Sequence, residues 1–204
     1  MIPSRRIFED HAGDYDRWFD EHHEVYEKEI RVLRDAVPGT GRGLEVGAGS
    51  GRFAVPLGIC CGIDPSPGLG RMAKQRGIEM VMGEGEHLPY RAGTFDYVLM
   101  MTVICFLEDA VPVFREIYRV LRPGGIFVAG FIEASEDNSL SDPGEPGRGQ
   151  FLRYAQFRTA GEVSGFFREG GFVDILTVIR DRGICVLSGR KPGEPQSTSE
   201  RQEG

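Results

Sequence analysis

The stretch Leu44-Glu45-Val46-Gly47-Ala48-Gly49-Ser50-Gly51-Arg52-Phe53 places three glycines at alternate positions directly after a short apolar run. Glycines in such a turn permit positive φ and let a ligand approach backbone that a Cβ would block. The N–H groups that open a following helix favour anionic or electron-rich groups. The dinucleotide fingerprint G-x-G-x-x-G needs its third glycine at position 52, which is Arg52. The spacing therefore argues against a nicotinamide-dependent oxidoreductase.

Length and composition point to a single globular domain. The chain has 204 residues, 40% of them hydrophobic, and a formal net charge of −7. This acidic balance argues against a general nucleic-acid binder, which needs a basic face, and we expect no nucleic-acid partner. No apolar stretch is long enough to span a membrane, and the N-terminus lacks the apolar region of a signal peptide, so we expect a cytoplasmic protein.

The four cysteines, Cys60, Cys61, Cys105 and Cys185, lie in apolar runs. None of them has C-x-x-C or Cys/His ligand spacing. We therefore expect buried free thiols and no metal site.

Apolar patterning alternates between strand and helix along the chain. A helix is expected over 8–37 with a break near 20–23. Farther along the chain, the turn Leu121–Gly125 should end a helix over 109–121 and precede the fifth strand, at 126–132. Asp109 is expected to cap the helix that ends at that turn. Strands are expected at 42–47, 58–64, 78–82, 95–101, 126–132, 172–179 and 183–188, and further helices at 51–57, 67–76, 109–121 and 160–170. The short turn at 180–183 should make the last two strands antiparallel.

This order predicts an α/β fold. We expect a three-layer α/β/α sandwich around a seven-stranded, mainly parallel, Rossmann-like sheet with an antiparallel last strand. Residues 1–190 should form the domain, with residues 1–37 as an N-terminal helical lid and 133–157 as a mobile insertion. The polar segment 191–204 should be a disordered tail. The aromatics of Tyr15-Asp16-Arg17-Trp18-Phe19 either pack a helix onto the sheet or cover a ligand, and both readings stay open.

The glycine stretch resembles motif I of the class I S-adenosylmethionine-dependent methyltransferases, with Glu45 as the acid of E-x-G-x-G-x-G. Further segments resemble the family's later motifs in the correct order: Gly62–Ser66, Gly83–Pro89, Gly93–Asp96 and Leu121–Gly125. The N-terminal aromatic stretch is similar to the methyltransferase type 11 branch, which includes the ubiquinone and menaquinone methyltransferases.

The resemblance implies an S-adenosylmethionine site. Asp64 would accept the ribose hydroxyls, Glu84 would reach the adenine amino group, and the Gly85 N–H would meet the ring. Glu45 either contacts the ligand or caps local backbone. The sequence departs from the family's pattern in two ways. Glu84 replaces the family's usual aspartate, and the interval from Gly51 to Asp64 is shorter than the family usually shows. The implied cofactor-binding residues are Tyr15, Trp18, Glu45, Gly47, Ala48, Gly49, Gly51, Asp64, Pro65, Glu84, Gly85, Met101 and Thr102.

The same resemblance implies methyl transfer to a small-molecule acceptor, with S-adenosylhomocysteine as product. No catalytic residue can be named, because the wall at Cys105-Phe106 is apolar where many relatives carry a polar residue. A non-catalytic S-adenosylmethionine-binding protein and a methyltransferase of macromolecules remain alternatives, although the segment after the fourth strand lacks an N-P-P-Y-like tetrapeptide. The acceptor atom and the oligomeric state stay open. Candidates on the acceptor side are His22, His23, Arg153, Tyr154 and Phe157.

Overall fold

The computed structural model describes residues 3–134, 149–181 and 183–193. Its strands are β1 (Gly43–Val46), β2 (Cys61–Asp64), β3 (Glu79–Met82), β4 (Phe95–Met101), β5 (Leu121–Ile132), β6 (Val173–Asp181) and β7 (Ile184–Arg190). They form a seven-stranded sheet of order β3-β2-β1-β4-β5-β7-β6. β7 runs antiparallel to both β5 and β6, whereas β1 to β5 pair in parallel. The predicted fold class is confirmed.

The helices lie between and before these strands. They are α1 (Pro3–Asp10), α2 (Ala12–Glu21), α3 (His23–Ala36), α4 (Pro67–Gln75), α5 (Val111–Val120), α6 (Gly149–Leu152) and α7 (Ala160–Glu169), with a single 3₁₀ turn at Ile104–Phe106. The predicted break near 20–23 falls at His22, whose backbone is not helical. A second break at His11, which separates α1 from α2, was not predicted.

Two apolar cores cover the two faces of the sheet, which makes the three layers. One core joins α5 and α7 to the sheet, and the other joins α2, α3 and α4 to its opposite face. Successive residues of β4 alternate between them: Val98 and Met100 enter the first core, and Leu99 and Met101 the second. A strand buried on both faces needs an uninterrupted apolar sequence, and residues 97–101 of β4 show this pattern after Asp96.

Three local predictions were wrong. Residues 51–57 form turns and not a helix, because Pro56 lacks an N–H and Gly58 takes a φ of +70° in this short connection. Residues 121–125 begin β5 and are not a separate turn, since Leu121 already pairs with Phe95 and an irregularity follows. The residue at the N-terminal cap of α5 is Ala110; the Asp109 carboxylate instead accepts a hydrogen bond from Val111 N at 2.9 Å.

The cysteine prediction holds for three of the four residues. Cys61, Cys105 and Cys185 are buried, whereas Cys60 is exposed, and all four are free thiols. The exposure of Cys60 follows from its position before β2 begins, outside the covered part of the sheet.

The described part of the chain contains no helix long and apolar enough to cross a bilayer. Within the same ranges, no cluster of three or more His, Cys, Asp or Glu side chains could hold a metal ion. The predictions of a mobile insertion and a disordered tail fall largely on residues 135–148 and 194–204, which lie outside the described residues.

Candidate functional site

The glycine loop begins where β1 ends and depends on glycine at each alternate position. Gly47, Gly49 and Gly51 have φ values of +73°, +53° and +83°. A Cβ at position 47 would lie only 2.2 Å from Val103 Cγ2, and one at position 49 would lie 3.4 Å from the Tyr15 ring. At position 47 both the left-handed backbone and the close neighbour oppose a side chain, whereas at position 49 the left-handed backbone alone does so.

Asp64 ties the glycine loop to the end of β2. Its Oδ2 accepts a hydrogen bond from Gly49 N at 2.8 Å, and its Oδ1 accepts one from Ser66 N at 2.8 Å. The residue is only 7% exposed. Burial raises the pKa of Asp64 to about 6, although the bonds from Ser66 and Gly49 lower it. An ionised carboxylate has further lone pairs, so this group can still accept hydrogen bonds from a diol at neutral pH.

Glu45 lies in a different environment from Asp64. It is 1% exposed and does not line the pocket. Burial and, second, the charge of Asp64 raise its pKa well above the ordinary value, while the backbone N–H of Ala54 supports its carboxylate. The sequence left a ligand contact and local backbone capping open for Glu45, and the choice between them stays a prediction.

A pocket lies at the carboxyl ends of β1, β2 and β4. Ten of the thirteen predicted cofactor-binding residues line it: Tyr15, Trp18, Gly47, Gly49, Asp64, Pro65, Glu84, Gly85, Met101 and Thr102. The other three, Glu45, Ala48 and Gly51, do not. The edge where parallel strands end is the usual ligand position in open α/β sheets. The ligand contacts of these residues remain predictions.

Thr102 stands out in the lining because its backbone has a φ of +55°. Such a conformation is uncommon for a residue with a Cβ and is found disproportionately at functional sites. The Thr102 N–H donates to Gly130 O at 2.8 Å, which holds the residue at the end of β4.

The helix pair formed by α1 and α2 lies across the glycine loop and is held there by charged contacts. Arg52, directly after the last loop glycine, contacts Asp16 at 2.9 Å and Asp20 at 2.7 Å, and Arg76 contacts Asp16 at 2.8 Å. The Glu9 carboxylate accepts hydrogen bonds from Ser66 Oγ at 2.6 Å and Gly68 N at 2.7 Å. The Glu9 contact lies at the N-terminus of α4, where the backbone favours a negative charge.

The aromatic stretch of α2 packs onto the sheet and also lines the pocket; that it covers a ligand stays a prediction. Trp18 and Phe19 are 5% and 4% exposed and belong to a core of the sheet. Tyr15, Trp18 and Phe19 also line the pocket.

Four rings from separate elements meet at one side of the pocket, and we call this group the aromatic cluster: Phe8, Tyr15, Phe106 and Phe151. The Phe8 ring lies 5.0 Å from both Phe106 and Phe151, and the Tyr15 ring lies 5.5 Å from Phe151. Sequence reasoning missed Phe8 and Phe151 because they are far apart in the chain and belong to no motif.

The residues that the sequence suggested for the acceptor side do not belong to the aromatic cluster. Arg153 and Tyr154 are exposed, and Phe157 does not line the pocket. His22 stacks on Trp18 at 4.6 Å and its Nδ1 lies 3.0 Å from Trp18 O, and neither His22 nor His23 lines the pocket.

Comparisons with known proteins agree with this geometry. Residues 44–129 match the family described as a methyltransferase domain. An uncharacterised protein of Methanocaldococcus jannaschii is 37% identical over 169 residues, which are 83% of this chain and 82% of that protein.

Two relatives carry functional names. A protein of Thermotoga maritima, described as an SAM-dependent methyltransferase and possible histamine N-methyltransferase, has a crystal structure that is 30% identical in sequence with a TM-score of 0.83. The match covers 91% of this chain and 99% of that one. Demethylmenaquinone methyltransferase of Staphylococcus aureus is 29% identical over 140 residues, which cover 60% of this chain and 57% of that enzyme.

Proposed function

The chain belongs to the S-adenosylmethionine-dependent methyltransferases, and on this premise we propose that it transfers a methyl group from S-adenosylmethionine to a small-molecule acceptor. The observation that carries the proposal is the pocket itself. The glycine loop, Asp64 and the loop at Glu84 converge there, beneath the helix pair α1 and α2.

The residues present fit an adenosyl ligand with a sulfonium. The Asp64 carboxylate, at the end of β2, has the acceptor capacity that a ribose diol needs. Glu84 and Gly85 supply a carboxylate and a backbone N–H beside apolar lining, which suits the amino edge and face of an adenine. The acids also suit a positively charged sulfonium.

When bound, S-adenosylmethionine supplies an electrophilic methyl group on a sulfonium. The chain's own contribution is position and exclusion of water. The glycine loop gives close backbone approach, Asp64 fixes the loop to β2, and Tyr15 and Trp18 cover the pocket from the helix pair. In this proposal residues 1–37 act as the lid of a domain that spans 1–190.

The acceptor class rests on two further points. The Thermotoga and Staphylococcus relatives carry names of enzymes that act on small molecules. The aromatic cluster lines the pocket with rings from four elements, which suits a small apolar group better than an extended polymer.

Transfer of a labelled methyl group from S-adenosylmethionine to a fractionated cell extract tests the proposal. We expect label in the small-molecule fraction and an equal amount of S-adenosylhomocysteine. Label found in RNA or protein alone would contradict the small-molecule acceptor. Binding of S-adenosylmethionine with no transfer to any fraction would favour a non-catalytic binding protein.

A further inference from the structure

The charged side chains that line the pocket, among the described residues, are all acidic. They are the carboxylates of Glu29, Asp64, Glu84, Glu86 and Glu108. Within that part of the chain, no Lys, Arg or His lines the pocket. A cleft with charges of one sign concentrates ligands of the opposite sign and opposes ligands of the same sign.

The aromatic cluster adds a second preference for cations. Phe8 and Phe151 are stacked at 5.0 Å with an interplanar angle of 20°, while Phe106 meets Phe8 edge-on at 85°. Aromatic faces carry negative electrostatic potential and attract ammonium groups. Glu108 follows Phe106 by two residues and also lines the pocket, so carboxylate and aromatic groups lie on the same segment after β4.

We infer that the acceptor is a small amine with an apolar body, and that its nitrogen takes the methyl group. This inference rests on the proposed function and names the substrate class of the same pocket. The aromatic cluster would hold the apolar body and the ammonium, and the acids Glu86 and Glu108 would complement the charge.

Charge conservation makes an amine compatible with this lining. The amine arrives mainly as ammonium at neutral pH and gives one proton to water before the attack. The nitrogen lone pair then forms the N–C bond while the S–C bond breaks, and the electron pair of that bond stays on sulfur as a thioether. Positive charge passes from sulfur to nitrogen, and the methylated ammonium keeps its remaining protons. The pocket therefore holds one positive charge before and after the transfer, and no catalytic base is needed at this step.

An anionic acceptor would place a further negative charge beside Glu86 and Glu108, in a pocket whose other charged side chains are also acids. A phenolate or carboxylate acceptor needs cationic or N–H groups that hold the oxyanion in the ground state. The charged side chains of the described lining are all acids, and this disfavours oxygen acceptors that react as anions.

Binding to the complex with S-adenosylhomocysteine tests the inference without relying on turnover. Phenyl, cyclohexyl and butyl skeletons, each with a terminal amine, hydroxyl or carboxylate, would be titrated by calorimetry at pH 7.5. We expect at least one amine to bind about tenfold more tightly than its matched alcohol, and the matched carboxylate not to bind. A carboxylate or alcohol that binds as tightly as its amine, or a panel in which no amine binds, would overturn the inference.

Charge-neutralising variants locate the effect in the pocket. The double variant Glu86→Gln/Glu108→Gln should raise the Kd of the amine severalfold. The control Asp35→Asn/Glu169→Gln removes the same charge from exposed helix positions and should leave that Kd unchanged. Equal Kd values for the two double variants would contradict the role of pocket charge.

The experiment separates the inference from the proposed function. Failure of S-adenosylhomocysteine to bind would refute the proposed function itself. Tight binding of S-adenosylhomocysteine with no preference for amines would refute only the amine acceptor, and the methyltransferase proposal would stand.

Discussion

Replacing Asp16 with asparagine tests how the helix pair α1 and α2 is held over the glycine loop. The Asp16 side chain is 16% exposed and accepts hydrogen bonds from Arg52 Nε at 2.9 Å, Arg52 Nη2 at 3.0 Å and Arg76 Nη2 at 2.8 Å. Burial opposes its ionisation, yet the bonds from Arg52 and Arg76 outweigh burial and hold the pKa of Asp16 well below its usual range. Asparagine keeps the size of the side chain and removes its charge.

The magnitude follows from these contacts. A hydrogen bond to a charged group contributes about 1.5–3 kcal/mol, and asparagine retains one acceptor oxygen, so we expect docking to weaken by about 2 kcal/mol. That free energy corresponds to about a 30-fold rise in the undocked population of the helix pair. Since Tyr15 and Trp18 reach the pocket from this pair, the Kd for S-adenosylhomocysteine should rise by up to the same factor.

Asp20 supplies a matched control on the same arginine. It contacts Arg52 at 2.7 Å, but its side chain is 64% exposed, and an exposed ion pair contributes about 0–1 kcal/mol. Asp20→Asn should therefore change docking by about fivefold or less.

Hydrogen exchange of residues 3–21, together with calorimetric titration of S-adenosylhomocysteine, measures both effects. Asp16→Asn should lose amide protection across α1 and α2 and bind S-adenosylhomocysteine more weakly. Asp20→Asn should have nearly the same amide protection and the same Kd as the unmodified protein. Unchanged protection in Asp16→Asn, or an equal loss in the two variants, would refute this account of docking.

Three further perturbations test the fold and the site. In the proposed site the ribose hydroxyls bind the ionised form of Asp64, and burial raises the pKa of this group to about 6. Affinity for S-adenosylhomocysteine should therefore fall about tenfold from pH 7 to pH 5. An equally steep fall in Asp64→Asn would exclude this group as the cause. Gly47→Ala should lower the free energy of unfolding by about 1–2 kcal/mol because of the left-handed backbone alone, and it should abolish tight binding of S-adenosylhomocysteine. Unaltered stability in urea together with unaltered affinity would contradict the close packing at this turn. Phe167 is fully buried, so Phe167→Ala should lower the free energy of unfolding in urea by about 3–5 kcal/mol. The folded variant should keep its affinity for the ligand. A loss of stability below about 1 kcal/mol would contradict the place of Phe167 in the core.

The parts of the site that could be predicted from sequence are those encoded locally. The glycine loop and the acid that ends β2 are recognisable because strand, turn and helix chemistry occupy neighbouring positions in the chain. Adjacent parallel strands then bring Asp64 to Gly49 without further information, and the structure places their contact at 2.8 Å.

The aromatic cluster could not be predicted in the same way. Phe8, Phe106 and Phe151 come from segments that no short-range pattern links, and each one alone is indistinguishable from an ordinary core residue. Their meeting depends on how α1 packs against α6 and against the 3₁₀ turn after β4, and this is a tertiary property.

Arg52 shows the same difference between what local sequence predicts and what depends on tertiary structure. Its identity in the sequence excludes a dinucleotide fingerprint, and that conclusion needs only the spacing of the glycines. Its contacts with Asp16 and Asp20 bridge more than 30 positions in the chain, and only the structure reveals them. The errors at 51–57 and 121–125 concern where elements begin and end, the feature that local propensity determines least well.

The measurement that tests the central claim most directly is thermal unfolding with S-adenosylmethionine, S-adenosylhomocysteine or NAD, each at 100 times the Kd expected for a bound ligand. Ligand at that ratio stabilises the folded protein by about 2.7 kcal/mol, which for a chain of this size raises Tm by about 5–10 °C. We predict that shift with both adenosyl ligands and no shift with NAD. A shift with NAD alone, or none with either adenosyl ligand, would contradict the assignment of this pocket to the methyl donor.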